Sequence, residues 1–129
     1  IQYRGRYYTI PRVRLNNIDI LYVVYFYIPK FLDLSAKEKV NVMFHELFHI
    51  NPEFNGDIRR MGAFKKAHGH SRKNFDMKYR EYSESFYDYI KHTPYHSFLE
   101  MSTAELKRNF HSLSYRKMKN PRPVLIKKS

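Results

Sequence analysis

The chain has 129 residues, 43% of them hydrophobic, which supplies one modest core and leaves nothing for a second. It has no cysteine, which excludes disulfides, thiolate zinc sites and cysteine nucleophiles together, so any metal has to be held by His, Asp or Glu. No stretch approaches the roughly 20 apolar residues that cross a bilayer, and a single soluble domain over residues 1–129, with no membrane partner, is expected.

The formal charge of +12 is unevenly placed. Four basic residues lie between Arg4 and Arg14, six between Arg59 and Lys73 and eight after Glu105, and none of these stretches contains an acid. A basic surface of this kind either keeps a protein in solution or attracts an acidic partner such as nucleic acid, without sequence selectivity. The absence of cysteine fits a reducing compartment, and a cytoplasmic setting is expected. The chain opens on Ile1 and not on Met, which leaves room for an upstream targeting segment.

The first 14 residues mix Tyr and Arg around Pro11 and are read as a strand or an extended arm. Asp19 to Ile28, D-I-L-Y-V-V-Y-F-Y-I, is dense in β-branched and aromatic residues, stops at Pro29 and predicts a strand. Ser35-Ala36-Lys37-Glu38 is a capping box that starts a helix of about four turns. Val40, Met43, Phe44, Leu47 and Ile50 form its buried face, and Asn51-Pro52 ends it. Asn51 to Lys73 has glycines at 56 and 62, lacks sustained periodicity and predicts a long functional loop. A second helix follows from Asn74 to Lys91, with Phe75, Tyr79, Tyr82, Phe86, Tyr89 and Ile90 at helical steps, and Thr93-Pro94 breaks it. Such an aromatic stripe reads as core. Ser102-Thr103-Ala104-Glu105 is another capping box, predicting a short helix from Thr103 to about His111, and a basic extended tail follows.

His45-Glu46-Leu47-Phe48-His49 reads H-E-x-x-H, inside the helix that capping and periodicity predict independently. Residues four apart share a helix face, so both imidazoles reach one ion at about 2 Å while Glu46 points at the water beside it. The plain alternative is two histidines that only bond to neighbours, and apolar Leu47 and Phe48, which fix the helix against the core, weigh against it. Two protein ligands hold zinc poorly, and catalytic sites commonly have three plus water. In the loop, His68 is the first choice for the third, because Gly69 beside it permits an unusual backbone turn. His70 comes second and Asp57 third; one of the two loop histidines would be a ligand and the other a transition-state hydrogen-bond donor. His70, Arg72 and Tyr79 are candidates for oxyanion stabilisation, each with a structural role as the plainer reading.

The segment H-E-L-F-H-I-N-P-E-F-N-G-D-I-R-R, His45 to Arg60, followed by A-H-G-H-S-R-K-N-F-D, Ala67 to Asp76, resembles small metallopeptidases found in phages and bacteria, related in outline to SprT-like zincins. The resemblance extends more weakly to the strand before the helix and to P-R-P at Pro121 to Pro123, and so covers most of the chain. It implies a small zincin-like α+β domain: a short mixed sheet packed on an active-site helix that carries H-E-x-x-H, a second long helix, and a basic extended tail over residues 112–129. It also implies His45 and His49 as ligands, Glu46 as the base and His68, in H-G-x-S-R, as the third ligand, with Zn2+ as cofactor and a polypeptide as substrate. Asn51 stands where a proline or small residue is expected.

Two other readings compete with a zinc peptidase. One is a nucleic-acid-binding module whose basic stretches and 12 tyrosines contact phosphates and bases, its zinc site being structural. It combines with the first, because SprT-like proteases act on DNA-bound proteins. The other is a metal-dependent hydrolase of a non-peptide bond.

Overall fold

A computed structural model describes residues 2–61, 68–69, 71–114 and 121–126. The expected α+β class is what forms, and the chain divides into two compact units, Ile1–Val23 with Ser114–Ser129, and Val24–Leu113. In the first unit two hairpins follow one another. Strands β1 (Gln2–Tyr3) and β2 (Arg6–Thr9) are joined across Arg4-Gly5, and β3 (Val13–Leu15) and β4 (Ile18–Ile20) across Asn16-Asn17. All four turn residues have positive φ, 47° and 74° then 50° and 65°. This is the two-residue turn whose twist matches paired strands, and Gly and Asn tolerate it best. Arg14 faces Asp19 across the second hairpin, and its Nε donates to the Asp19 carboxylate at 2.8 Å.

The basic tail contributes a strand of its own, β5 (Val124–Leu125), which pairs with β2 in the register Tyr8 to Leu125 and Thr9 to Val124. Among the described residues every ladder is antiparallel, so the expected mixed sheet is instead two small antiparallel ones, of three and two strands. For β1–β2 and β3–β4 the two-residue turns allow no other pairing. The strand expected over Asp19 to Ile28 stops at Ile20, and residues 21–27 carry no ladder among the described residues. Their β-branched and aromatic content marks a chain that suits a pleated surface, but composition does not supply the neighbour that makes one.

The second unit is built on α1 (Ala36–Phe48), α2 (Arg72–Ile90), α3 (Tyr95–Glu100) and α4 (Thr103–Asn109). Both expected capping boxes are present: Ser35 and Glu38 bond reciprocally at α1, and Ser102 and Glu105 at α4. Helix α1 packs along α2 and touches α3. Phe75, Val40 and Ser83 are the most deeply buried side chains, and Ser83 Oγ donates to Asn41 Oδ1 at 2.7 Å, tying α2 to α1.

Several side chains depart from the predicted helix faces, and on α2 Tyr82 and Tyr89 of the expected core stripe are 64% and 70% exposed. Leu47, expected in the core, is 47% exposed, whereas Lys39 is buried. The Lys39 ammonium donates to the carbonyls of Leu99 at 2.6 Å and Met101 at 2.9 Å, so it satisfies acceptors left orphaned at the end of α3. Burial pulls its pKa below the usual lysine range, against the opposing attraction of Asp33 and Glu105. Helix α3 itself was not predicted: it follows Pro94, has no side-chain cap and is six residues long.

Candidate metal centre

The end of α1 is held in place by one residue of the following loop. Arg59 donates from its backbone to His49 O at 2.7 Å and from Nε to Phe48 O at 2.7 Å, while its guanidinium lies 4.0 Å from the Phe48 ring centre. The last carbonyls of the helix thus find donors, and His49, its C-cap, is fixed one turn beyond His45. Asn51, the departure noted above, donates its N–H to Asp57 O at 3.3 Å and accepts from Glu53 N at its side chain. A proline at 51 would lack that N–H.

His68 enters beside these two. Gly69 has φ +63°, and a Cβ on it would sit 2.9 Å from Met61 Cβ, so both the conformation and the space call for glycine. The three rings form a nearly equilateral triangle, with centroids 5.0 Å apart for His45–His49, 5.0 Å for His45–His68 and 4.9 Å for His49–His68. Beneath them lies Phe75, 0% exposed, stacked on His49 at 4.6 Å and 5.2 and 5.0 Å from His45 and His68. One nitrogen of each histidine lies within 4.8 Å of the other two, and among the described residues this is the one group that can hold a metal ion.

Hydrogen bonding selects the tautomer of His45. Its Nδ1 faces Asp76 Oδ1 at 3.1 Å and Tyr79 OH at 3.3 Å, and Tyr79 OH donates to the same Asp76 oxygen at 2.9 Å. A carboxylate accepts only, so Nδ1 carries the proton and the lone pair is left on Nε2. That Nε2 meets His68 Nε2 at 3.1 Å. In the metal-free protein His68 Nε2–H can donate to that lone pair, and with the proton gone the two nitrogens both face the same point, where a cation can bridge them. Nitrogens about 2.0–2.1 Å from a tetrahedral zinc ion are roughly 3.3 Å apart, close to the His45–His68 separation, and the His49 nitrogen lies within 4.8 Å of both.

Electrostatics around the triangle keep the bases in the required forms. Partial burial raises the Asp76 carboxyl, but hydrogen bonds from Tyr79 and His45 and the positive charge of Arg72 outweigh it and hold it below the usual range. Tyr79 is pushed up to about 12, first by burial and then by the Asp76 carboxylate, so its phenol stays a donor. His49 is lowered by burial and by its two neighbouring histidines, against Glu46. That favours the neutral ligand form.

A hollow of about 350 Å³ opens over this triangle, lined by Asn41, Val42, His45, Glu46, His68, Arg72 and Tyr79. It brings together Glu46, two of the three histidines and both described oxyanion candidates. Of those, Tyr79 is committed to Asp76, and Arg72 stands largely in solvent, 3.8 Å from Asp76 Oδ2. Asp57 lies apart from the cluster: it accepts from Ile58 N at 2.9 Å and pairs with Arg60 at 3.3 Å. His70 lies outside the described residues. The sequence shows Phe75 only as core and leaves Asp76 unassigned, because the partner of Asp76, His45, is 31 residues away in the chain. The available signal was an acid one residue after an aromatic of the buried stripe and three before the next.

Comparison with known proteins agrees with this geometry. No curated protein and no solved structure matches the chain. The family model described as Putative phage metallopeptidase matches residues 3–114, most of the chain and the whole of the α1 to α4 region. By that match the chain belongs to the phage metallopeptidase family.

Proposed function

We propose that this family member is a zinc-dependent peptidase in which His45, His49 and His68 hold the metal and Glu46 is the general base. The observation that carries the reading is the convergence of three imidazole nitrogens within 4.8 Å, two of whose residues, His45 and His68, share one hollow with Glu46. The chemistry that zinc supplies when bound by such donors is Lewis acidity, which brings the pKa of water toward neutrality and polarises a carbonyl. Glu46 takes the proton from the attacking water and returns it to the leaving amine. Asp76 holds His45 with Nε2 free, and Tyr79 anchors Asp76. Glu46→Gln should leave zinc bound and lower turnover by about 10²–10⁴-fold, whereas His45→Ala should lose the metal. Unchanged peptide cleavage by Glu46→Gln would refute the assignment.

A second reading, binding of nucleic acid, is favoured by the way charge divides. The Ile1–Val23 and Ser114–Ser129 unit has ten basic residues and one acid, a formal +9 of the +12. Its partner would be a phosphate backbone, met without sequence preference. A mobility-shift series in rising salt should show affinity falling steeply; binding that ignores salt removes this reading.

A further inference from the structure

Val42 and Glu46 lie one turn apart on α1 and form a ridge shared by two hollows. One is the polar hollow over the histidines. The other, about 240 Å³, lies beyond the ridge and is lined by Tyr25, Phe26, Tyr27, Phe31 and Leu34, with Lys30 and Glu46 as its charged groups. It is smaller than the roughly 300–1,000 Å³ of sites that enclose small-molecule ligands, so it takes a single side chain and not a cofactor. Its aromatic wall is preformed: the Phe26 and Phe31 rings sit 4.4 Å apart, tilted by 32°. Tyr27 is nevertheless 85% exposed, with Tyr25 and Phe26 also open to water. Apolar surface left in water beside a reactive carboxylate marks a place that something apolar covers.

The shared wall identifies the occupant. Glu46 has to stand next to the bond being cleaved, and an extended peptide advances about 3.3 Å per residue with side chains on alternate sides. The residue that reaches across Val42 and Glu46 is therefore a direct neighbour of that bond. Resting on the peptidase reading, we infer that this hollow selects a large apolar residue, aromatic or leucine-like, immediately flanking the cleaved bond. Discrimination against small or acidic residues at that position is on the order of 100-fold in kcat/KM, the scale that an apolar pocket achieves.

The test pairs turnover with binding. Zinc-loaded protein is given a set of quenched peptides that differ only at the two residues flanking a fixed bond. Glu46→Gln protein is titrated with the same peptides by calorimetry, in parallel with Tyr27→Ser and Phe31→Leu variants. Cleavage concentrated on Phe, Tyr, Leu or Met at one flank, with the preference cut about tenfold or more by Tyr27→Ser, supports the inference. Cleavage indifferent to both flanks overturns it and leaves the peptidase reading intact. If no peptide is cut, binding decides: apolar peptides held by Glu46→Gln protein and weakened by Tyr27→Ser support the hollow while the peptidase reading fails, and binding blind to side-chain size overturns the inference.

Discussion

Asp76 touches no substrate in the proposed scheme, yet it decides which nitrogen of His45 is free, through one contact of 3.1 Å. An amide in its place can offer either an oxygen or an N–H to Nδ1, so the tautomer is no longer enforced. Asp76→Asn should weaken zinc binding by about 10–100-fold, read by competition with a chelator, while the fold persists; unaltered zinc affinity would show that the pair is only structural. Gly69→Ala acts on the same ligand set from the backbone. With φ at +63° and Met61 Cβ at 2.9 Å, the substitution should cost about 1–3 kcal/mol and lower the melting temperature. His49 gives the pH dependence. Its folded pKa lies below 6.5, so in the window just under 6.5 the unfolded chain binds more protons, and the metal-free protein should lose stability as pH falls through that window. A melting series from pH 7.5 to 5.5 checks this, and His49→Gln should flatten it.

Among the elements, those with a local signature were legible before any coordinates. The capping boxes at Ser35 and Ser102 mark the starts of α1 and α4, because a Ser and a Glu three apart satisfy each other's orphan amides wherever they occur. Ser35→Ala should therefore cost about 1 kcal/mol in denaturant unfolding, with zinc stoichiometry unchanged since the histidines lie at the far end of the helix. Elements whose stability comes from elsewhere were not legible. Helix α3 has no cap of its own and is fastened through its terminal carbonyl groups by a lysine some sixty residues earlier in the chain. The expected strand over Asp19 to Ile28 fails for the complementary reason, since its residues suit a sheet but no neighbouring strand among the described residues reaches them beyond Ile20. In the first unit the two-residue turns at Arg4-Gly5 and Asn16-Asn17 did carry a hairpin signal, in Gly and Asn at positions that need positive φ.

For the whole molecule, the candidate site was half visible. H-E-x-x-H is a local pattern and declares His45, Glu46 and His49; Gly69 made His68 the better choice of the loop residues. Asp76 and Phe75 are supplied by α2 and became visible only once that helix lay against α1. Metal binding should therefore couple to the stability of the α1 and α2 pair. Zinc at about a hundred times its Kd should raise the unfolding free energy by about 2.7 kcal/mol, and a chelator should reverse the gain; a melting temperature indifferent to zinc would argue against a site made by folding. No helix among the described residues is long and apolar enough to cross a membrane.

The single ring under all three imidazoles makes their positions mechanically interdependent. Phe75 touches all three rings, so a change in it bears on every corner of the triangle at once. A shorter side chain there would widen or narrow the seat offered to a cation without altering the number of nitrogens around it. Phe75→Leu should accordingly shift the preference between zinc and the larger cadmium ion, and a comparison of the two affinities would expose how far one hydrocarbon ring governs the choice of metal.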